Sequence, residues 1–166
     1  LISTAGIVAT YNYLILSSMI FSAYTAFLLC WYCSRNWVGS LFGGYFFGFS
    51  TYILSQSLAH VCFTVIFLLP LLSLVSVMFY QRKIKKLSFI VCYVFLLTAQ
   101  FYINPESAVI FLIFTSVGIL LGSFTFERPS LLRWVRPWLL ACVVTLLLIA
   151  PLLYNFFHYQ SLHVLI

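Results

Sequence analysis

Aspartate is absent from the 166 residues, glutamate occurs twice, and charged side chains make up 6% of the chain. Soluble domains carry about 25% charge, so ten ionised groups cannot cover a water-facing surface. A soluble globular domain is excluded, and so is a disordered chain, because hydrophobic residues reach 64%. A disulfide scaffold is excluded as well: the five cysteines show no framework spacing. What remains is a protein whose solvent is the lipid bilayer.

The net charge of +6 would ordinarily point to nucleic acid, but position argues against it. All eight basic residues fall in three short clusters between apolar runs. These are Arg35, then Arg82, Lys83, Lys85 and Lys86, then Arg128, Arg133 and Arg136. That is the pattern of a membrane topology, and no nucleic-acid partner is expected. The chain starts at Leu1 within an apolar stretch and has neither the basic n-region nor the cleavage site of a signal peptide. It reads as a single transmembrane domain over residues 1–166, internal to a longer membrane protein.

A membrane-crossing helix needs about 20 apolar residues. The uncharged intervals Leu1–Ser34, Leu87–Pro105, Ser107–Phe126 and Pro137–Ile166 accommodate one span each, and Asn36–Gln81 is long enough for two. The break in that interval falls at the polar run Ser55-Gln56-Ser57-Leu58-Ala59-His60. The expected fold is therefore all-α, a polytopic transmembrane helix bundle with spans at about 8–33, 38–54, 60–80, 87–103, 106–126 and 138–156. Six spans place the links at 34–37, 81–86 and 127–137 on one side, and these hold every Lys and Arg. Cytoplasmic links carry the excess of positive charge, so both termini are expected outside. Trp31, Trp37, Trp134 and Trp138 lie near the basic side, as interfacial aromatics do.

Small residues recur four apart at Gly39/Gly43, Ser40/Gly44, Gly44/Gly48 and Gly118/Gly122, a spacing that lets helices approach closely. Pro70 and Pro151 fall inside spans and are expected to kink them. Cys30 and Cys33 have redox or zinc spacing without a second ligand pair. Cys62, Cys92 and Cys142 stand alone within spans, and all five read as small buried hydrophobes.

Ionisable groups at membrane depth or at its edge are the default functional candidates. On the outer side Glu106 is the one acid, within Asn104-Pro105-Glu106-Ser107. That motif also reads as a helix start, with Asn104 as cap, Pro105 in the first turn and Glu106 at the positive helix end. A capping role and a substrate or metal role both stand. His60 follows Tyr52, Ser55, Gln56 and Ser57, and Gln56 shares its face at a spacing of four. An imidazole there either bonds a helix end or meets a phosphate or sugar hydroxyl. His158 and His163 are off register for a helical metal pair and read as interfacial. Glu127 and Arg128 read as a solvated helix end.

The run Gly43-Gly44-Tyr45-Phe46-Phe47-Gly48-Phe49-Ser50-Thr51-Tyr52, followed by His60 and Pro70-Leu71-Leu72, resembles a stretch of bacterial multi-spanning glycosyltransferases of the GT-C superfamily. Gln100-Phe101-Tyr102-Ile103-Asn104-Pro105-Glu106 is similar to their Gln-x-x-Ile-Ser-x-Glu segment. Tyr11-Asn12-Tyr13-Leu14 is similar to the start of the helix after their first external loop. The resemblance covers about residues 8–126 and departs from the family at Thr51, where Pro is usual, and at Cys62, where Asn often follows the histidine.

It implies transfer of a sugar from a polyprenyl-phosphate donor to an acceptor at the outer face of a cell membrane, the bacterial inner membrane. Tyr52, Gln56, His60 and Glu106 would be substrate-binding residues lining the outer cavity. The family's acidic base or metal ligand lies in a loop that would precede Leu1, and a divalent metal, where used, would neutralise the leaving phosphate. The competing readings are a transporter or lipid flippase segment and a non-catalytic membrane subunit.

Overall fold

The structure is a computed structural model that describes residues 2–57, 61–125 and 128–163. Every element in them is a helix. In chain order they are α1 (Ile2–Ser34), α2 (Trp37–Gly48), α3 (Thr51–Ser57), α4 (Val61–Thr64), α5 (Leu68–Tyr80), α6 (Lys86–Ile103), α7 (Pro105–Thr125) and α8 (Arg128–His163). Hydrocarbon offers no partner for a free N–H or C=O, so helices that satisfy their own backbone are the stable solution. Several hydroxyls follow the same rule, whereas those of Ser22, Thr98 and Thr145 are buried with no hydrogen-bond partner among the described residues. Ser73, Ser76, Thr115 and Ser116 each donate to the carbonyl four residues back.

Four helical stretches are long and apolar enough to cross a membrane: Gly6–Ser34, Lys86–Ile103, Pro105–Gly122 and Arg133–Asn155. Their outward faces are apolar, with Phe95, Phe114 and Leu147 each at least 70% exposed. Contiguous apolar surface of that kind requires lipid against it. The chain is a multi-pass membrane protein.

The second and third expected spans, 38–54 and 60–80, are not continuous helices. The first divides into α2 and α3 at Phe49-Ser50, where the Ser50 hydroxyl accepts the Ile53 N–H at 3.4 Å. The second divides into α4 and α5 at Val65-Ile66-Phe67. Pro70 explains that division, because a proline ring clashes with the carbonyl four residues earlier, here that of Ile66. Pro70 therefore sits in the first turn of α5 and does not kink a longer helix. At about 1.5 Å per residue, α2 is about 18 Å long and α5 about 20 Å, both short of a ~30 Å hydrocarbon core. The expected link at 127–137 is also revised: α8 begins at Arg128 and runs on through Pro137 and Pro151.

Helices α5, α7 and α8 pack around α6, and α1 packs against α2 and α5. Leu72 of α5, Phe89, Tyr93, Leu97 and Phe101 of α6, Ala108 of α7, and Trp138, Ala141 and Ile149 of α8 form the main core. Within it Phe79 stacks on Phe89 with ring centres 4.4 Å apart, and Phe89 lies 5.3 Å from Tyr93. The Trp138 indole N–H donates to the Tyr93 hydroxyl at 2.8 Å, which satisfies both polar tips inside the bundle. A smaller cluster joins Met19, Ile53 and Ile66.

The closest helix pair is α1 against α2, and glycine makes it so. A Cβ on Gly48 would lie 2.5 Å from the Ala23 Cβ and 2.6 Å from its backbone nitrogen, and one on Gly44 would lie 2.6 Å from the Ala23 carbonyl oxygen. Gly44/Gly48 thus pack as their spacing implies. Gly118 does not: a Cβ there meets nothing within 4 Å.

The two ends of the bundle differ in chemistry. At one, Tyr32 at the end of α1 donates to Gln81 at the end of α5 at 2.9 Å, and Arg82 and Arg133 line one cavity. The links containing Arg35 and Arg82 therefore meet the start of α8. Both arginines take left-handed backbone angles, φ 53° and 60°, and close their helices: the Lys83 N–H reaches the Met78 carbonyl at 2.9 Å, five residues back. At the other end Tyr11 donates to the Ser57 carbonyl at 2.8 Å, and Gln100 to that of Val65 at 3.2 Å.

Placing a methyl at the helix contact should be costly and placing one at the open site should not. Gly48→Ala is expected to destabilise the detergent-solubilised protein by about 1–3 kcal/mol, whereas Gly118→Ala should stay within about 0.5 kcal/mol. Denaturant unfolding followed by circular dichroism measures both.

Candidate functional site

The end of the bundle opposite the basic links is where the candidate residues fall. It is built by a helical hairpin in which Asn104 alone separates α6 from α7. The Asn104 N–H closes α6 on the Gln100 carbonyl at 2.7 Å, and its side-chain oxygen accepts the Ser107 N–H at 3.1 Å. Asn104 is 1% exposed. It is the cap of α7, with Pro105 following where no donor is wasted. Glu106 stands exposed in the first turn, beside the positive helix end. The capping reading of this motif is realised, and the Glu106 carboxylate remains available to other partners.

One turn before Asn104, Gln100 is fully buried. Its amide N–H₂ donates to the Val65 carbonyl, in the stretch where α4 and α5 part, and its amide oxygen has no hydrogen-bond partner among the described residues. This side chain is the polar pivot of this end of the bundle. It ties α6 to a helix break while leaving one buried acceptor unused, a state that costs free energy unless something donates to it.

Tyr52 and Gln56 are one turn apart on α3 and share a face. Tyr52 is exposed and Gln56 partly buried. The position of α3 is held by the Tyr11 bond to Ser57 and by packing against α4. His60 lies outside the described residues. Glu106 is on α7, which packs against α6 and α8. The structure thus brings Tyr52 together with Gln56 on one face of α3, and sets Glu106 two residues after the Asn104 cap, while Gln100 is bonded to the Val65 carbonyl. None of the cavities described among these residues is lined by Tyr52, Gln56 or Glu106.

Among the described residues no group of three or more His, Cys, Asp or Glu side chains stands close enough to hold a metal ion. Glu106 is the one described acid, so the described residues do not by themselves fit a divalent cation. Cys30, Cys33, Cys92 and Cys142 are free thiols, and Cys33 and Cys92 are exposed, contrary to a buried role for all five. His158 is exposed and stacks on Tyr154 with ring centres 5.8 Å apart. The side chain of His163 and all of Glu127 lie outside the described residues.

Gln100 was visible in the sequence only as part of a longer motif. Its signal was physical: an amide inside an apolar run, one turn before a capping asparagine. No protein family, curated protein or solved structure matches the chain.

Losing the cap should loosen the start of α7. Asn104→Ala is expected to cost about 1 kcal/mol, within a range of about 0.5–2, whereas Asn104→Asp keeps the acceptor and most of the stability. Thermal unfolding of the purified protein compares the two.

Proposed function

We propose that this chain is part of an integral membrane glycosyltransferase of the GT-C type, which moves a sugar from a polyprenyl-phosphate donor to an acceptor at the outer face of a cell membrane, the bacterial inner membrane. In this reading α1, α2 with α3, α4 with α5, α6, α7 and α8 make six passes, both termini lie outside, and the basic links face the cytosol. The observation that carries it is the contrast between the two ends. One gathers Arg35, Arg82 and Arg133, and the other offers Glu106, Asn104, Gln100, Tyr52 and Gln56 with no described Lys or Arg. The reaction class itself rests on the resemblance of residues 8–126.

In the transfer, the bond from the sugar's anomeric carbon to the donor phosphate oxygen breaks, and a bond to the acceptor oxygen forms. The acceptor's proton goes to a carboxylate. Glu106 is exposed at the right end to meet a hydroxyl, while Tyr52, Gln56 and His60 contact donor phosphate or acceptor hydroxyls. The unused amide oxygen of Gln100 accepts a hydroxyl that reaches the helix break. The base that the resemblance implies upstream of Leu1 is not supplied by these residues.

A second reading, a transporter or lipid flippase segment, is favoured by one observation. Two of the passes are broken helices, and discontinuous helices are how many transporters build a substrate site. Against it, the described charges of the membrane-crossing stretches, Lys86, Glu106, Arg133 and Arg136, all fall within the first four residues of their stretch and none near its middle.

In vesicles given a polyprenyl-phosphate sugar and acceptor, His60→Ala and Glu106→Gln should each lower transfer by about tenfold or more and leave membrane insertion unchanged. Wild-type transfer by both variants would remove these residues from the site. Movement of the lipid-linked sugar across the vesicle without any transfer would favour the transporter.

A further inference from the structure

Two cavities meet at the basic end. The first, about 210 Å³, is lined by Phe79, Tyr80, Arg82, Arg133 and Trp134. The second, about 310 Å³, runs along α5 and α7 past Val77, Gly118, Ile119 and Gly122, and Tyr80 and Trp134 also form part of its wall. The two spaces therefore share a boundary of two amphipathic aromatics. One side of that boundary carries two guanidinium groups, and the other is almost wholly apolar.

We propose that this pair of cavities is a binding site for one anionic phospholipid of the adjoining leaflet, with its phosphate between Arg82 and Arg133 and an acyl chain in the apolar cavity. Each half of the ligand is called for by a separate observation. Arg82 and Arg133 come from different helical segments, the α5–α6 link and the start of α8, and both are exposed. Lys83, Lys85 and Lys86 follow Arg82 in the chain and Arg136 comes three residues after Arg133, all exposed. The described acid, Glu106, is at the far end of α6, about 27 Å away by helix rise, so it does not neutralise them. Guanidinium groups bind phosphate oxygens bidentately, and basic pockets between membrane helices on the cytoplasmic side select anionic head groups.

The indole nitrogen of Trp134 is buried and has no hydrogen-bond partner among the described residues. On the apolar side, Gly118 leaves open the space where a side chain would stand. That gap lies inside the membrane-crossing stretch Pro105–Gly122, at the depth of acyl chains. A free phosphate would use only the first cavity, and a zwitterionic lipid would gain little from two arginines. An anionic phospholipid uses both cavities.

The test is native mass spectrometry of the full chain in detergent, titrated with phosphatidylglycerol or with phosphatidylcholine of the same acyl chains. The unaltered protein should retain one phosphatidylglycerol and discriminate against phosphatidylcholine. Arg82→Asn with Arg133→Gln should weaken retention roughly 30-fold, on the scale of about 1 kcal/mol per cation near a membrane surface. Asparagine is chosen at position 82 because it tolerates the left-handed backbone found there. Lys83→Gln with Lys86→Gln removes equal charge outside the cavity and should cost less than about threefold. Gly118→Leu fills the apolar cavity and leaves both arginines in place, so it should weaken retention about tenfold. It also decides the matter should the arginine variant aggregate. Equal retention of the two lipids, equal losses from the arginine and lysine pairs, or undiminished retention by Gly118→Leu would overturn the site.

Discussion

Hydrocarbon accepts neither an unpaired backbone amide nor a bare charge, and this constraint organises the protein. It makes every described element a helix and turns several serine and threonine hydroxyls back onto their own carbonyls. It also confines Lys and Arg to the links and to the first turns of α6 and α8. The interior then has to be held by shape. Between α1 and α2 the means are Gly44 and Gly48, which bring backbones to a distance no side chain would allow. In the core they are a run of rings from Phe79 through Phe89 and Tyr93 to Trp138, whose two polar tips satisfy each other. Where the helices do break, at Phe49-Ser50 and at Val65–Phe67, the freed groups have local solutions. The Ser50 hydroxyl takes an N–H at the first break, and the Gln100 amide covers a carbonyl at the second.

Much of this was legible from charge spacing. The apolar intervals between Arg35, Lys86 and Arg128 mark out α1, α6 and α7 closely, because length and the absence of charge are sufficient evidence for a membrane helix. The breaks within 36–81 were not legible. The polar run at 55–60 suggested one division of that interval, whereas Pro70 imposes another and the Ser50 hydroxyl caps a third. The start of α8 was misplaced for a related reason. Arg128, Arg133 and Arg136 read as a link, yet three arginines at an interface are compatible with continuous helix when Trp134 and Trp138 anchor the same turns.

The candidate site was partly legible. Asn104-Pro105-Glu106 showed itself as a helix start because capping chemistry is local. Gln100 could be recognised as important only once its partner, the Val65 carbonyl, was known, since the two are brought together by a break that no local signal near Gln100 encodes. Tyr52 and Gln56 share a face as their spacing requires. Among the described residues no hydrogen bond joins them to Glu106, so a common pocket depends on what else fills the space between α3 and α7. The basic end presents the opposite case. Its arginines were read as topology alone, and only the meeting of the α5–α6 link with α8 turns two of them into walls of a cavity.

The account stands on the sidedness of the two ends, and impermeant maleimide labelling tests it directly. Single cysteines would be placed at Glu106 and at Lys83, both exposed, in a protein otherwise free of cysteine and expressed in intact cells. The position at 106 should react without permeabilisation, and the position at 83 only after it. Labelling at 83 in intact cells, with 106 protected, would contradict the orientation and everything built on it.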